Sequence, residues 1–197
     1  MGADGTTHGL TDRAALERVL TAVLDRIGRA APRFDMRLVG TGAALAQGVR
    51  TSAGDVDVLV ADRSDVDVAA AALSGLPCPA PPVWLPDARQ YFTRFEVQGI
   101  AVEFSTVEGP TDIDTAECAG PGPWKHSVPV PLGQHVVQAV RLELRLVTEI
   151  VRDRPDRRAP LLEHLRSHGA DLPLLRQALA DHGVDPALRE RVLDRLT

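Results

Sequence analysis

The sequence predicts an α+β fold in which a small sheet flanked by helices is followed by a helical C-terminal part. Three observations carry this. Asp55 to Ala61 alternates polar and apolar residues with the period of a strand. Residues 90 to 97 and 100 to 107 read as two further strands around Gln98-Gly99. From Gln134 onward apolar residues recur at helical spacing, with Gly169 and Gly183 as stops.

Taken in order, residues 1 to 10 have the small polar composition of a disordered tail. Thr11 or Asp12 caps a first helix running to about Arg29, because Leu16, Leu20, Val23, Leu24 and Ile27 fall on one face. Met36 to Val39 is a short buried strand, and Ala43 to Gln47 a brief helix closed by Gly48. After the strand at Asp55, Ser64 caps a helix through Ala69–Ala72 to Leu73. Pro77 to Pro86 is expected to be a surface loop, since proline neither continues a helix nor sits in a central strand. In the hairpin a two-residue turn sets Arg94 opposite Glu103, and Thr93, Phe95 and Val97 opposite Phe104, Val102 and Ile100. Residues 108 to 133 are rich in Gly and Pro and read as a long loop, a flap that either contacts substrate or packs as a connection, with Trp124, Lys125 and His126 within it. Val137, Val140, Leu144, Val147 and Val151 then predict a helix from Gln134 to Asp153, followed by helices at 159–168, 172–182 and 186–196. This gives a tail (1–10), a first domain (11–132) and a helical subdomain (133–197).

The chemistry concentrates in Asp55-Val56-Asp57-Val58. Residues two apart on a strand share a face, so the two carboxylates lie side by side while Val56, Val58 and Val60 point to the core. Adjacent carboxylates repel one another unless a cation or partner neutralises them. Thirteen residues separate Asp55 from Val39-Gly40-Thr41, and a third acid flanked by apolar residues follows in Val102-Glu103-Phe104.

This arrangement resembles the nucleotidyltransferase superfamily, the fold shared with DNA polymerase beta. Its signature is apolar-Gly-(Gly/Ser), a gap of nine to thirteen residues, then acid-apolar-acid-apolar, with a third acid on a later strand. The likeness spans roughly residues 35 to 107; Thr41 stands where Gly or Ser is usual, keeping a hydroxyl and adding a methyl group. The resemblance implies a small, strongly twisted mixed sheet of the nucleotidyltransferase type. It further implies that Asp55, Asp57 and Glu103 are catalytic and hold two Mg2+ ions, and that Gly40, Thr41, Gly42, Arg50 and Ser52 contact the phosphates of a nucleoside triphosphate. The two residues Ala53 and Gly54 lengthen the segment carrying Arg50 and Ser52 relative to the family pattern. A second role for Glu103, as the cross-strand ion-pair partner of Arg94, stays open.

Composition narrows the substrate. A net charge of −5 and a pI near 5.7 argue against a general nucleic-acid surface. Cys78 and Cys118 are forty residues apart and read as reduced thiols rather than a disulfide or zinc site. No apolar run approaches the ~18 residues of a membrane span, and the N-terminus lacks a signal-peptide core, so a cytoplasmic protein without membrane contact is expected.

Other motifs carry less. Asp65-Val66-Asp67-Val68 repeats the acidic pattern, but Ser64 and the following alanines put those acids in the first turn of a helix. Asp112-Ile113-Asp114 suits a turn. Gly40-Thr41-Gly42 with Asp62 suggests a dinucleotide fingerprint, yet Leu45 stands where its third Gly belongs. His164 and His168 share a helix face without the glutamate of a zinc-protease motif. With its helical C-terminal part and Arg152-Asp153-Arg154-Pro155-Asp156 after the long helix, the chain looks like the small-molecule nucleotidyltransferases, such as lincosamide and aminoglycoside adenylyltransferases. This implies transfer of a nucleoside monophosphate to a hydroxyl of a small molecule, with release of pyrophosphate. Two alternatives stand beside it: a minimal nucleotidyltransferase of a toxin-antitoxin-like pair, acting on or binding a helical protein partner, and an inactive nucleotide-binding member. A homodimer is compatible with each.

Overall fold

The computed structural model describes residues 9–109, 116–118 and 120–197. Asp112-Ile113-Asp114 lies outside them. Among the described residues no helix is long and apolar enough to cross a membrane.

Among the described residues the chain is α+β, built on a seven-stranded mixed sheet. Helix α1 (Arg13–Ala30) starts at Asp12, whose side chain accepts the Ala15 N–H at 2.8 Å. Its inner face of Leu16, Leu20, Val23 and Ile27 is at most 1% exposed, and burial of each such side chain contributes about 1.5–3 kcal/mol. Strand β1 (Met36–Val39) runs directly into helix α2 (Gly40–Ala46), then come β2 (Asp55–Val60) and α3 (Arg63–Ala72). Helices α1, α2 and α3 pack together over the sheet face to which Leu38, Val58 and Phe104 point. Strands β3 (Ala80–Leu85), β4 (Gln90–Val97) and β5 (Ile100–Ser105) form an antiparallel meander, with β5 joined in parallel to β2. Helix α4 (Gly122–Lys125) precedes the hairpin β6 (Ser127–Leu132) and β7 (His135–Val140). Helices α5 (Leu142–Val151), α6 (Pro155–His168), α7 (Leu172–Asp181) and α8 (Pro186–Asp194) complete the chain. The sheet order is β3-β4-β5-β2-β1-β7-β6, which places β2 at its centre.

The β4–β5 hairpin has the expected register, Arg94 facing Glu103 and Phe95 facing Val102. Gln98 and Gly99 both take positive φ (55° and 79°), the type I′ geometry that matches strand twist.

Several expectations are corrected. Leu10 is 1% exposed and exchanges backbone hydrogen bonds with Ala53, so order begins before residue 11. Asp62, not Ser64, caps α3, in a capping box with Asp65. The Pro-rich segment after Pro77 contains strand β3, and the register shifts between Ala80 and Val83, where Pro81 and Pro82 lie. An edge strand needs N–H groups on one side only, and a bulge relieves even that requirement. The 108–133 segment is likewise not wholly loop: β6 forms the other sheet edge, and Pro129 and Pro131, two apart, turn their missing donors to the same side. The helix expected from Gln134 begins only at Leu142. His135–Val140 is a strand paired with β1, so the sheet continues past residue 133. Gly133, at φ 59°, makes the turn that returns the chain from β6.

Candidate active site

Strand β2 lies between β1 and β5, with Asp57 opposite both Val39 and Glu103, and Asp55 opposite Ala101. The sheet face away from α1–α3 therefore presents Asp55, Asp57 and Glu103 together. All three line one cavity of about 320 Å³, shared with Gly40, Thr41 and Glu117.

Asp57 sits among like charges. Burial first, then the charges of Asp55, Glu103 and Glu117, push its carboxyl up to about 7, with Arg145 acting in the opposite direction. Gly40 leaves β1 at φ 67°, and a Cβ there would collide with the Asp57 carboxylate, whose Cγ would be 3.1 Å away. Only glycine admits both the backbone turn and the carboxylate.

Behind this turn lies an ionic network that sequence reasoning missed. Arg145, 3% exposed, is ion-paired with both Glu117 and Glu149 and donates to Thr41 Oγ1 at 3.2 Å. Glu117 Oε2 accepts the Gly40 N–H at 3.1 Å. Burial raises the Glu117 carboxyl above its ordinary value, opposed by Arg145 and by that N–H. Burial also works against the Arg145 charge, but Glu117 and Glu149 outweigh it and hold its pKa above the usual. Arg145 and Glu149 are spaced i, i+4, which in sequence looks like a solvated helix pair. What betrays them is their helix: α5 is buried on every side from Leu142 to Ile150.

The remaining expected residues divide. Thr41 is 8% exposed on the cavity wall, its hydroxyl oxygen accepting from Arg145 and, at 3.4 Å, from Arg157. Gly42 is turned into the core, where a Cβ would meet Leu38 Cδ1 at 3.6 Å and Leu16 Cδ1 at 4.0 Å. Arg50 is exposed in a separate cleft beside His164 and His168, and Ser52 is exposed outside the cavity. None of these three lines the cavity: Gly42 sits within α2 with its Cα facing the core, and Arg50 and Ser52 lie on the segment between α2 and β2. Asp65 and Asp67 serve α3, Asp67 accepting the Tyr91 hydroxyl at 3.0 Å. Of the basic-acidic run after α5, Arg152 lines the cavity, and Arg154 is paired with Asp156 at 2.9 Å. Trp124 packs under the Arg37 guanidinium, 4.5 Å from its ring centroid, which makes α4 a packed connection against β1.

The acids suit a cation in part. Asp55 and Asp57 form a neutralisable pair, and magnesium keeps several waters, so two carboxylates suffice for one ion. Glu103 is otherwise engaged: its Oε1 accepts from Arg94 Nε at 2.7 Å. Burial raises its carboxyl and Arg94 lowers it, with a net upward shift. Among the described residues no three His, Cys, Asp or Glu side chains converge as a metal shell. The expected third ligand, and the second ion it would hold, thus do not fit this arrangement of Glu103.

The fold is similar to that of a candidate nucleotidyltransferase from Thermotoga maritima. That crystal structure, of TM1012, matches over 81% of this chain and 98% of the other, with a TM-score of 0.55 at 17% identity. At this identity the likeness is one of fold. JHP933 from Helicobacter pylori aligns over 95% of this chain and 90% of its own at a TM-score of 0.38 and 12% identity, too distant to bear on the site. No protein-family model and no curated protein sequence matches the chain.

Proposed function

We propose that this chain is a magnesium-dependent nucleotidyltransferase that moves a nucleoside monophosphate from a nucleoside triphosphate to a hydroxyl of a small molecule, releasing pyrophosphate. The observation that carries this is the Asp55–Asp57 pair on a central strand, lining a cavity where burial and the neighbouring carboxylates push the Asp57 carboxyl up to about 7. The fold likeness to the Thermotoga maritima protein supports the class. The net charge of −5 argues for a small acceptor rather than a nucleic acid.

Asp55 and Asp57 would hold one magnesium ion, which supplies charge to stabilise the departing pyrophosphate. The protein's share is positioning. The β-ladder and Gly40 fix Asp57, so its carboxylate needs no reorganisation as charge develops on the phosphates. The acceptor oxygen bonds to the α-phosphorus as the bond to the bridging oxygen of the β-phosphate breaks. Glu103, facing the same cavity with a raised pKa, is the carboxylate placed to take the hydroxyl proton. A second reading, a nucleotide-binding member without turnover, is favoured by the Arg94–Glu103 pair, which leaves Glu103 committed elsewhere.

Calorimetric titration of ATP, GTP, CTP and UTP with and without Mg2+ tests the class, with Asp55→Asn/Asp57→Asn as control. Magnesium-dependent binding lost in the control supports it and names the base. No binding to any triphosphate removes it. Binding without turnover across an acceptor screen favours the second reading.

A further inference from the structure

The cavity holds two arginines that the acidic network does not consume. Arg145 is saturated by Glu117, Glu149 and Thr41, and Arg154 is engaged by Asp156. Arg157 is different. Its guanidinium side chain is 42% exposed, reaches only 4.0 Å from Glu149 Oε1, and touches Thr41 Oγ1 at 3.4 Å. An ion pair this long orients a guanidinium without occupying its donors. Arg152, at the end of α5, is exposed on the same cavity and has no side-chain partner among the described residues. Glu149 is itself fully buried, and its Oε2 lacks a hydrogen-bond partner. With Glu117 and Glu149 sharing Arg145, the interior carries an excess carboxylate that anchors Arg157 at the cavity wall.

The turn that the sequence suggested for phosphate contact is meanwhile occupied, since the Gly40 N–H is spent on Glu117, and Gly42, Arg50 and Ser52 lie elsewhere. We infer that Arg152 and Arg157, displayed from the α5–α6 junction, are the residues that bind the polyphosphate tail of the donor, with Glu149 positioning Arg157. This rests on the nucleotidyltransferase reading for the identity of the ligand, but not for the chemistry it names: planar donors facing a cavity select phosphate oxygens.

The test is calorimetric titration of inorganic tripolyphosphate, and of the triphosphate, diphosphate and monophosphate of one nucleoside, into wild type, Arg152→Gln, Arg157→Gln and Arg157→Lys, all with Mg2+. Each glutamine variant should weaken tripolyphosphate and triphosphate binding about 10- to 100-fold, and leave the monophosphate within about threefold. Arg157→Lys should recover part of the loss, because the charge remains while the fork is lost. Melting temperatures of all variants separate binding from folding, and Arg152→Gln, at an exposed position, should melt as wild type. Triphosphate bound equally well by wild type and both glutamine variants overturns the inference and leaves the nucleotidyltransferase reading intact. Tripolyphosphate bound in an arginine-dependent way, with no nucleotide bound, sustains the inference and removes that reading.

Discussion

The Asp57 carboxylate occupies the space that a side chain at position 40 would need, so Gly40 and Asp57 specify one another across the β1–β2 pair. Gly40→Ala should lose magnesium-dependent nucleotide binding entirely. It should also cost more than the ~1–2 kcal/mol of a left-handed backbone, because the carboxylate must move. Gly99→Ala is the matched control: its φ is 79°, but nothing lies within 4 Å of the added methyl. That variant should lose the backbone contribution alone and bind as wild type. Thermal unfolding and calorimetry on the two proteins decide it.

Asp57 should make stability fall as pH rises. Its folded pKa, about 7, stands above the ordinary value of 3.8, so the folded state holds the proton more tightly. The resulting stabilisation is complete below pH ~4 and is lost as pH climbs towards 7 and beyond, by a few kcal/mol at most. Asp57→Asn should flatten the melting-temperature profile between pH 4 and 8. Added Mg2+ should raise the melting temperature of wild type at pH 8 and leave the variant unmoved. A profile identical in the two proteins would contradict this account of Asp57.

Removing the Arg145 charge strands Glu117 and Glu149 in the core. Arg145→Met should cost about 3–5 kcal/mol, the usual penalty for breaking a buried ionic cluster from one side. Adding Glu149→Gln should restore part of it, since one of the stranded carboxylates is then neutral. Urea denaturation of the single and double variants gives the coupling directly.

Arg94 and Glu103 separate two roles for the third acid. Arg94 is 46% exposed at its side chain, so Arg94→Gln should change stability by less than about 1 kcal/mol. It frees Glu103, and Mg2+ affinity should rise if that carboxylate then joins Asp55 and Asp57. Glu103→Gln should keep nucleotide binding and lose turnover. Calorimetric Mg2+ titrations of wild type and Arg94→Gln, with turnover assays of Glu103→Gln, read each effect.

What the sequence made legible was local. The alternation of Asp55 to Val60 and the hairpin at Gln98-Gly99 are set by neighbours in the chain, and both stand as read, including the Arg94–Glu103 register. The valines after Gly133 were ambiguous: Val137 and Val140 fit a helical stripe, but β-branched side chains also suit a strand, and pairing with β1 decided it. Prolines 81, 82, 129 and 131 looked like loop signals because their tolerance depends on lying at a sheet edge, which only the strand order defines. The charged cluster was least accessible, since Glu117 and Arg145 are 28 residues apart and meet only through packing.

Those edge prolines also bear on how copies of this chain meet. A sheet with open ends invites strand addition, and here both ends, β3 and β6, carry residues that cannot donate to an incoming backbone. Self-association through continuous sheets is thereby discouraged at either end.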